Sequence, residues 1–140
     1  MKKSGVLNHE LAGLVAGLGH TDCVMICDAG FPIPEDKRYV DLALCAGIPS
    51  LQDCLRVLLQ EAIFDEVLVA QEMQQWNMET LSMLQKTLEN QKWNIVPQTE
   101  LARRAEDAKF IIRSGELKPY SNLLLYSASG VEQFYKDFFI

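Results

Sequence analysis

The amino-acid sequence predicts an α/β domain with a mostly parallel sheet flanked by helices. Short apolar runs of strand length, such as residues 23–27 and 67–70, alternate along the chain with segments whose apolar residues recur at helical spacing. Continuous apolar runs are typical of strands covered on both faces, as in parallel sheets. The 140 residues are 49% hydrophobic and contain no low-complexity stretch or long linker, so we expect a single domain over residues 1–140.

The first half of the chain is predicted to hold two helices and two strands. Asn8 can cap a helix over residues 8–18, where leucines and Val15 form an apolar stripe. The strand at 23–27 ends at Asp28, and two prolines then require an extended loop at 31–34. A short strand is expected at 40–44, and Pro49 and Ser50 open a second helix.

The second half of the chain is predicted to continue the alternation. A strand at 66–70 precedes a helix at 78–92, and an extended segment at 94–97 precedes a helix that Thr99 caps and that runs to about residue 108. Two final strands, at 110–112 and 123–126, enclose a turn-rich stretch. These elements complete the predicted sheet.

Composition and charge argue against several partner classes. The chain has 13 basic and 19 acidic residues, a formal charge of −6, which disfavours binding to nucleic acid or to an anionic membrane. No 18 consecutive apolar residues are present, and the N-terminal segment lacks the features of a signal peptide. The four cysteines form no CxxC pair and are expected to be reduced and buried. A cytoplasmic protein is therefore expected.

Several kinds of chemistry find no support in the residue pattern. The only two histidines, His9 and His20, are eleven residues apart and lie in no HxH or HxxE arrangement, so we expect no metal site. The glycines form no phosphate-binding pattern, and no serine has a nucleophile-elbow context.

Four polar residues next to predicted strands are candidates for a functional site. His20 precedes the buried strand at 23–27 on a connecting loop, Asp28 follows that strand, and Tyr120 and Asn122 lie in the turn before the last strand. Each has an ordinary structural alternative: His20 as a helix C-terminal residue, and the other three as turn residues. The local residues alone favour these alternatives.

Six segments, taken together, resemble the D-ribose pyranase family, whose relatives include the L-fucose mutarotases. The resemblance covers residues 1–131, and the segments occur in this order: LGHTD (18–22), CDAGFPIP (27–34), DLAL (41–44), GIPS (47–50), IRSGE (112–116) and PYSNLLL (119–125). It implies a cofactor-free isomerase that interconverts the pyranose and furanose forms of a free monosaccharide, D-ribose foremost.

The resemblance also implies roles for individual residues. His20 matches the catalytic acid, and a histidine has an unperturbed pKa of about 6.5, suited to giving and taking protons near neutrality. The expected sugar-binding residues are Asp28, Gln98, Tyr120, Ser121 and Asn122. The family further implies a ring-shaped homo-oligomer, usually a decamer of two stacked pentamers, with each site near a subunit contact.

The chain departs from the family pattern at two positions near the predicted site. Gln98 stands where pyranases commonly have a histidine, and Ala102 where they have a lysine whose charge Arg103 could supply. These changes keep two alternatives open: a mutarotase for L-fucose or another aldose, and a non-catalytic sugar-binding or regulatory module. The additional segment 132–140 carries four aromatic residues, which predicts an interface.

Overall fold

The computed structural model describes residues 1–131, which form one α/β unit built on a six-stranded mixed sheet. The strands are β1 Cys23–Cys27, β2 Tyr39–Asp41, β3 Phe64–Ala70, β4 Lys92–Val96, β5 Phe110–Arg113 and β6 Leu123–Ser127. The helices are α1 His9–Ala16, α2 Leu51–Glu61, α3 Glu72–Trp76, α4 Met78–Thr87 and α5 Gln98–Arg104, followed by a 3-10 turn at Ala105–Asp107. Within residues 1–131, no helix is long and apolar enough to cross a membrane. The predicted aromatic interface at 132–140 lies outside the described residues.

Five of the six strands point the same way, and the sixth opposes them from the middle of the sheet. The order is β2-β5-β1-β6-β3-β4, with β6 antiparallel to both β1 and β3 and all other neighbours parallel. Five of the six strands are parallel to one another, as predicted for a mostly parallel sheet. The antiparallel strand β6 makes the sheet a mixed one. We call the end at which the five parallel strands finish and β6 begins the carboxyl end, and the opposite end the amino end.

The hydrophobic core lies on both faces of the sheet. All five residues of β1 are buried, with Val24 and Ile26 in the cluster that α1, α2 and α4 cover. Met25 and Cys27 point to the other face, which α5 and the loop at 31–33 cover. The alternation follows the two-residue period of a strand and confirms the prediction that β1 is covered on both sides.

Three of the four cysteines are buried as predicted, and one is not. Burial raises the pKa of the Cys23, Cys27 and Cys54 thiols to about 12, which makes them poor nucleophiles. Cys45 is exposed, because it lies in the short loop between β2 and α2 rather than in a strand or helix.

Several predicted boundaries are wrong for reasons visible in the structure. The predicted helix at 78–92 ends at Thr87, because the chain turns and Lys92 begins β4 beside β3. The helix expected after a Thr99 cap begins at Gln98, because the Glu72 carboxylate accepts the Gln98 N–H at 2.9 Å. Helix α3 was not predicted at all, whereas the Asn8 cap of α1 is confirmed by its bond from the Leu11 N–H at 2.9 Å.

Candidate functional site

The carboxyl end of the sheet gathers five of the six predicted site residues. Asp28 directly follows β1, Gln98 begins α5 just after β4, and residues 120–122 directly precede β6. Because β6 is antiparallel to its neighbours, its beginning lies beside the ends of β1 and β3. The carboxyl ends of parallel strands are the usual place for ligand sites in open α/β sheets.

Asp28 and Asn122 are directly bonded across the junction of β1 and β6. The Asp28 backbone N–H donates to Asn122 Oδ1 at 2.8 Å, and the Asp28 carboxylate accepts the Gly30 N–H at 3.0 Å. Burial raises the pKa of the Asp28 carboxyl above its ordinary value, and the hydrogen bonds from Gly30 and Asn122 only partly oppose this effect. The Asp28 carboxyl therefore keeps its proton to a higher pH than the carboxyl of a surface aspartate does.

Tyr120 and Ser121 are held by a buried asparagine that the sequence analysis did not single out. Asn77 Nδ2 donates at 2.9 Å both to the Pro119 carbonyl and to Ser121 Oγ. The two bonds flank Tyr120, whose φ of 57° lies in the left-handed region. Ser121 is fully buried. Its hydroxyl faces Asn77 inside the protein, so it supports the loop, and a contact between Ser121 and the sugar stays a prediction.

Gln98 lies at the start of α5 with its side-chain oxygen unpaired. Its Oε1 atom is buried and has no hydrogen-bond partner among residues 1–131, while its N–H is bonded to Glu72. Arg103 does not supply the charge that Ala102 lacks: its guanidinium donates to Glu100 at 2.6 and 2.9 Å on the exposed side of the helix. The Gln98 side-chain oxygen is thus an unsatisfied acceptor enclosed by the protein, which a ligand reaches only if the side chain turns outward.

Arg113, at the end of β5, joins the turn after β1 to the end of β2. Its Nε and Nη2 atoms donate to the Ala29 carbonyl at 3.1 and 3.0 Å, and its Nη1 atom donates to both Asp41 carboxylate oxygens at 3.0 and 2.9 Å. The sequence analysis did not single out Arg113 as a site residue. Its place at the end of a predicted strand, inside the IRSGE segment, was the available signal.

His20 lies at the opposite end of the sheet from the other candidates. The adjacent Thr21 N–H donates to the carbonyl of Ser127, the last residue of β6, which places this loop at the amino end. The five residues of β1 separate the two ends by about 13 Å at 3.3 Å per residue. His20 is exposed, so within one copy of the chain it is not part of the carboxyl-end cluster.

No metal site accompanies the cluster in the described part of the chain. No group of three or more His, Cys, Asp or Glu side chains within residues 1–131 is arranged to hold an ion. An apolar cavity of about 280 Å³ lies between the N-terminal segment and α2, and none of the predicted site residues lines it. The candidate site therefore consists of polar groups at the carboxyl end.

Curated relatives match nearly the whole chain. A D-ribose pyranase of Actinobacillus pleuropneumoniae serotype 7 (strain AP76) is 44% identical over 135 residues, which cover 91% of this chain and 97% of that protein. D-ribose pyranase 1 of Rubrobacter xylanophilus is 42% identical over 125 residues, covering 89% of this chain and 95% of that protein.

Solved structures share the fold. The structure of Bacillus subtilis RbsD complexed with D-ribose has a TM-score of 0.88 at 38% identity and covers 91% of this chain and 98% of that one. The fucose mutarotase of Streptococcus pneumoniae in complex with L-fucose has a TM-score of 0.73 at 16% identity, covering 87% of this chain and 93% of that one, which shows the fold alone. Because a family model also matches residues 1–131, the chain belongs to the RbsD / FucU transport protein family.

Proposed function

We propose that this chain is an isomerase that interconverts the pyranose and furanose forms of D-ribose by acid/base-assisted opening and closing of the ring. The identity of 44% to a D-ribose pyranase and the likeness to RbsD complexed with D-ribose support this activity. The structural observation that carries it is the bonded pair of Asp28 and Asn122 at the carboxyl end of the sheet.

The polar groups at the carboxyl end suit a neutral sugar. Such a ligand offers hydroxyl groups, which a carboxyl (Asp28), a phenol (Tyr120) and amides (Asn122 and Gln98) can recognise by the pattern of donors and acceptors. The buried Oε1 of Gln98 is an unpaired acceptor, which a sugar hydroxyl would satisfy once the side chain turns outward.

The reaction requires proton transfers in both directions. Ring opening breaks the bond between the anomeric carbon and the ring oxygen, which gains a proton, while the anomeric hydroxyl loses one and becomes the aldehyde. Closure on a different hydroxyl reverses both transfers, so atoms and charge balance. Asp28, with its raised pKa, binds the sugar and is placed to share a proton with a hydroxyl group.

We assign the catalytic acid to His20 of a second copy of the chain. Within one copy His20 and Asp28 lie at opposite ends of the sheet, so a site that uses both joins the amino end of one copy to the carboxyl end of another. Contacts between different surfaces are heterologous, and they form closed rings when the rotation between copies closes. This supports the ring-shaped homo-oligomer, a decamer of two pentamers, that the family implies.

A subunit-mixing experiment tests the activity and the shared site together. His20→Ala and Asp28→Asn are each expected to exchange ribose ring forms slowly when purified alone, as measured by saturation-transfer NMR. Co-expressed in equal amounts, they should recover about a quarter of the parental rate, because one site in four receives an intact residue from both copies.

Two outcomes would contradict the proposal in different ways. If neither single variant slows exchange, the site assignment fails. If both are slow and the mixed assembly stays as slow as its parts, the two residues act within one chain or His20 has another role. The matched control is His9→Ala, which changes the other histidine, at the start of α1, and should leave the rate unchanged.

A mutarotase for L-fucose or another aldose is the second candidate. The substitution of Gln98 for the histidine of the pyranases favours it, because an amide presents a different donor and acceptor pattern to the sugar and cannot titrate. The same NMR measurement on ribose, fucose and other aldoses ranks the substrates, and binding without exchange of any of them would instead indicate a regulatory sugar-binding module.

A cytoplasmic location belongs to the same proposal. All four cysteines are unpaired thiols, and three of them are buried, which suits a reducing compartment.

A further inference from the structure

We propose that Arg113 is a positioning residue for this reaction, which fixes the Asp28 carboxylate through a single peptide unit, and that Asp41 holds Arg113 in place. This inference rests on the proposed function, because it concerns how Asp28 is aimed at the sugar.

The connection runs through the peptide that joins Ala29 to Gly30. Its carbonyl accepts two N–H groups of the Arg113 guanidinium, at 3.1 and 3.0 Å. Its N–H, at the opposite side of the same unit, donates to Asp28 Oδ1 at 3.0 Å. Because a peptide unit is planar and rigid, the guanidinium that fixes the carbonyl also fixes the direction of the N–H that holds the carboxylate.

Asp41 fixes the other side of the guanidinium. Residues 41 and 113 are register partners at the ends of the parallel strands β2 and β5, and the two carboxylate oxygens accept from Nη1. Asp41 Oδ1 also accepts the Ala43 N–H at 3.0 Å, so this carboxylate is itself anchored. The Arg113 side chain is 32% exposed and that of Asp41 is 45% exposed, so water reaches this ion pair, whereas the contacts of Arg113 with the Ala29 carbonyl are partly buried.

Arginine is the side chain that this geometry requires. The guanidinium makes four contacts in two directions, two with the Ala29 carbonyl and two with the Asp41 carboxylate. Its planar fork of N–H donors can make them together, whereas the single ammonium of lysine cannot. The other contacts of the turn act elsewhere or on the carboxyl directly: Asn122 accepts the Asp28 N–H and also hydrogen-bonds the Asp28 carboxyl, and the Glu116 carbonyl accepts the Ala29 N–H. Among residues 1–131, only the Arg113 contacts act on the carbonyl of the peptide whose N–H donates to the Asp28 carboxylate.

A double-mutant cycle separates positioning from general support of the fold. We expect Arg113→Lys to lower kcat for ribose ring exchange by about tenfold to a hundredfold, since a displacement of about 1 Å at a reacting group has effects of that size. In an Asp28→Ala background no carboxylate remains to be aimed, so adding Arg113→Lys should lower the rate no further. Arg38→Lys is the matched control, because Arg38 donates through one nitrogen to Glu10 alone at the protein surface, and its rate should equal the parental rate.

The results that overturn the proposal are distinct from those that overturn the function. Equal losses from Arg113→Lys with and without the Asp28 carboxylate mean that Arg113 supports the fold generally, and the proposal is then wrong although Asp28 remains in the site. A parental rate for Asp28→Ala overturns the proposal and the assignment of Asp28 to the site, whereas the proposed function fails only if the parent itself does not exchange ribose ring forms. If Arg113→Lys does not fold, the double-mutant cycle is repeated with Asp41→Asn in its place. This substitution weakens the ion pair with the Arg113 guanidinium but keeps a side-chain oxygen that accepts the Ala43 N–H.

Discussion

Replacing Asn77 by alanine should destabilise the protein and disturb the sugar site at the same time. The Asn77 side chain is buried and makes three hydrogen bonds: it donates to the Pro119 carbonyl and to Ser121 Oγ, and its Oδ1 accepts the Thr80 N–H as the N-cap of α4. One side chain thus starts a helix and holds the loop that carries Tyr120.

The size of the effect follows from these three bonds. A hydrogen bond contributes about 1 kcal/mol net, an N-cap also contributes about 1 kcal/mol, and a buried group left unpaired costs about 1–3 kcal/mol. We therefore expect Asn77→Ala to lower the free energy of unfolding by about 3–4 kcal/mol, a large part of the about 5–15 kcal/mol typical of a domain. Asn8→Ala is the matched control: Asn8 is an exposed N-cap with one such bond, and its loss should cost about 1 kcal/mol.

The same substitution should raise the KM for ribose. Tyr120 adopts a left-handed backbone conformation that is unfavourable for a residue with a side chain, and the two Asn77 bonds flank it on both sides. Without them the loop can relax, which would displace the phenol that we propose binds the sugar. Asn77→Ser, which keeps a cap oxygen but not both donors, should fall between Asn77→Ala and the parent.

Denaturant unfolding at one fixed protomer concentration measures the stability, since assembly makes it concentration-dependent, and saturation-transfer NMR measures the exchange. If Asn77→Ala is no less stable than Asn8→Ala and exchanges ribose with an unchanged KM, then Asn77 does not hold the loop and the reasoning fails.

Two further predictions concern stability. Burial raises the pKa of Asp28 in the folded state above its value in the unfolded chain. Above the folded-state pKa, the buried carboxylate lowers the free energy of unfolding. This free energy rises again as the pH falls through the folded-state pKa. Asp28→Asn should therefore slow ribose exchange and yet be at least as stable as the parent at pH 7. The difference in stability between the two proteins should shrink toward about pH 4, as measured by urea unfolding across pH. A variant less stable than the parent at pH 7 would contradict this prediction. A Cβ at Gly115 would lie 2.5 Å from the Ile48 carbonyl oxygen, so Gly115→Ala should cost about 1–3 kcal/mol. Gly13→Ala on α1, where a Cβ meets no heavy atom within 4 Å among the described residues, should instead stabilise by about 0.5–1 kcal/mol, and thermal melts that rank the two variants the other way would refute the packing argument.

The sequence specified the fold best where a local pattern had a single structural solution. The apolar run at β1 is typical of a covered strand, and Asn8 before an apolar stripe is a favourable helix cap, and the structure has both. The pattern failed where tertiary contacts decide: the leucines of α4 keep helical spacing up to Leu88, but the following residues pair with β3. The direction of β6 is likewise set by its neighbours, and no residue within it distinguishes an antiparallel strand from a parallel one.

The candidate site residues were named from the sequence and their roles stay predictions, whereas the separation of His20 from Asp28 was overlooked although the strand between them implies it. Residues that flank one strand lie at its two ends, so the positions of His20 and Asp28 around β1 already implied their separation. The supporting residues were harder to find, because Glu72 and Asn77 act through a short helix with weak periodicity and Arg113 acts through a carbonyl. Their partners are 26, 42 and 84 positions away in the chain.

Three features at the carboxyl end each lower the stability of a single copy. Tyr120 is held in a left-handed conformation, the Asp28 carboxyl is desolvated, and the buried Oε1 of Gln98 has no partner within residues 1–131. Unfavourable local choices persist when the surrounding structure imposes them, and they concentrate where a ligand will be bound. Under the proposed function, a sugar hydroxyl that shares the proton of Asp28 would offset the cost of that desolvated carboxyl. The convergence of the three features on one end of the sheet supports the proposal that ribose binds there, beside His20 of a second copy.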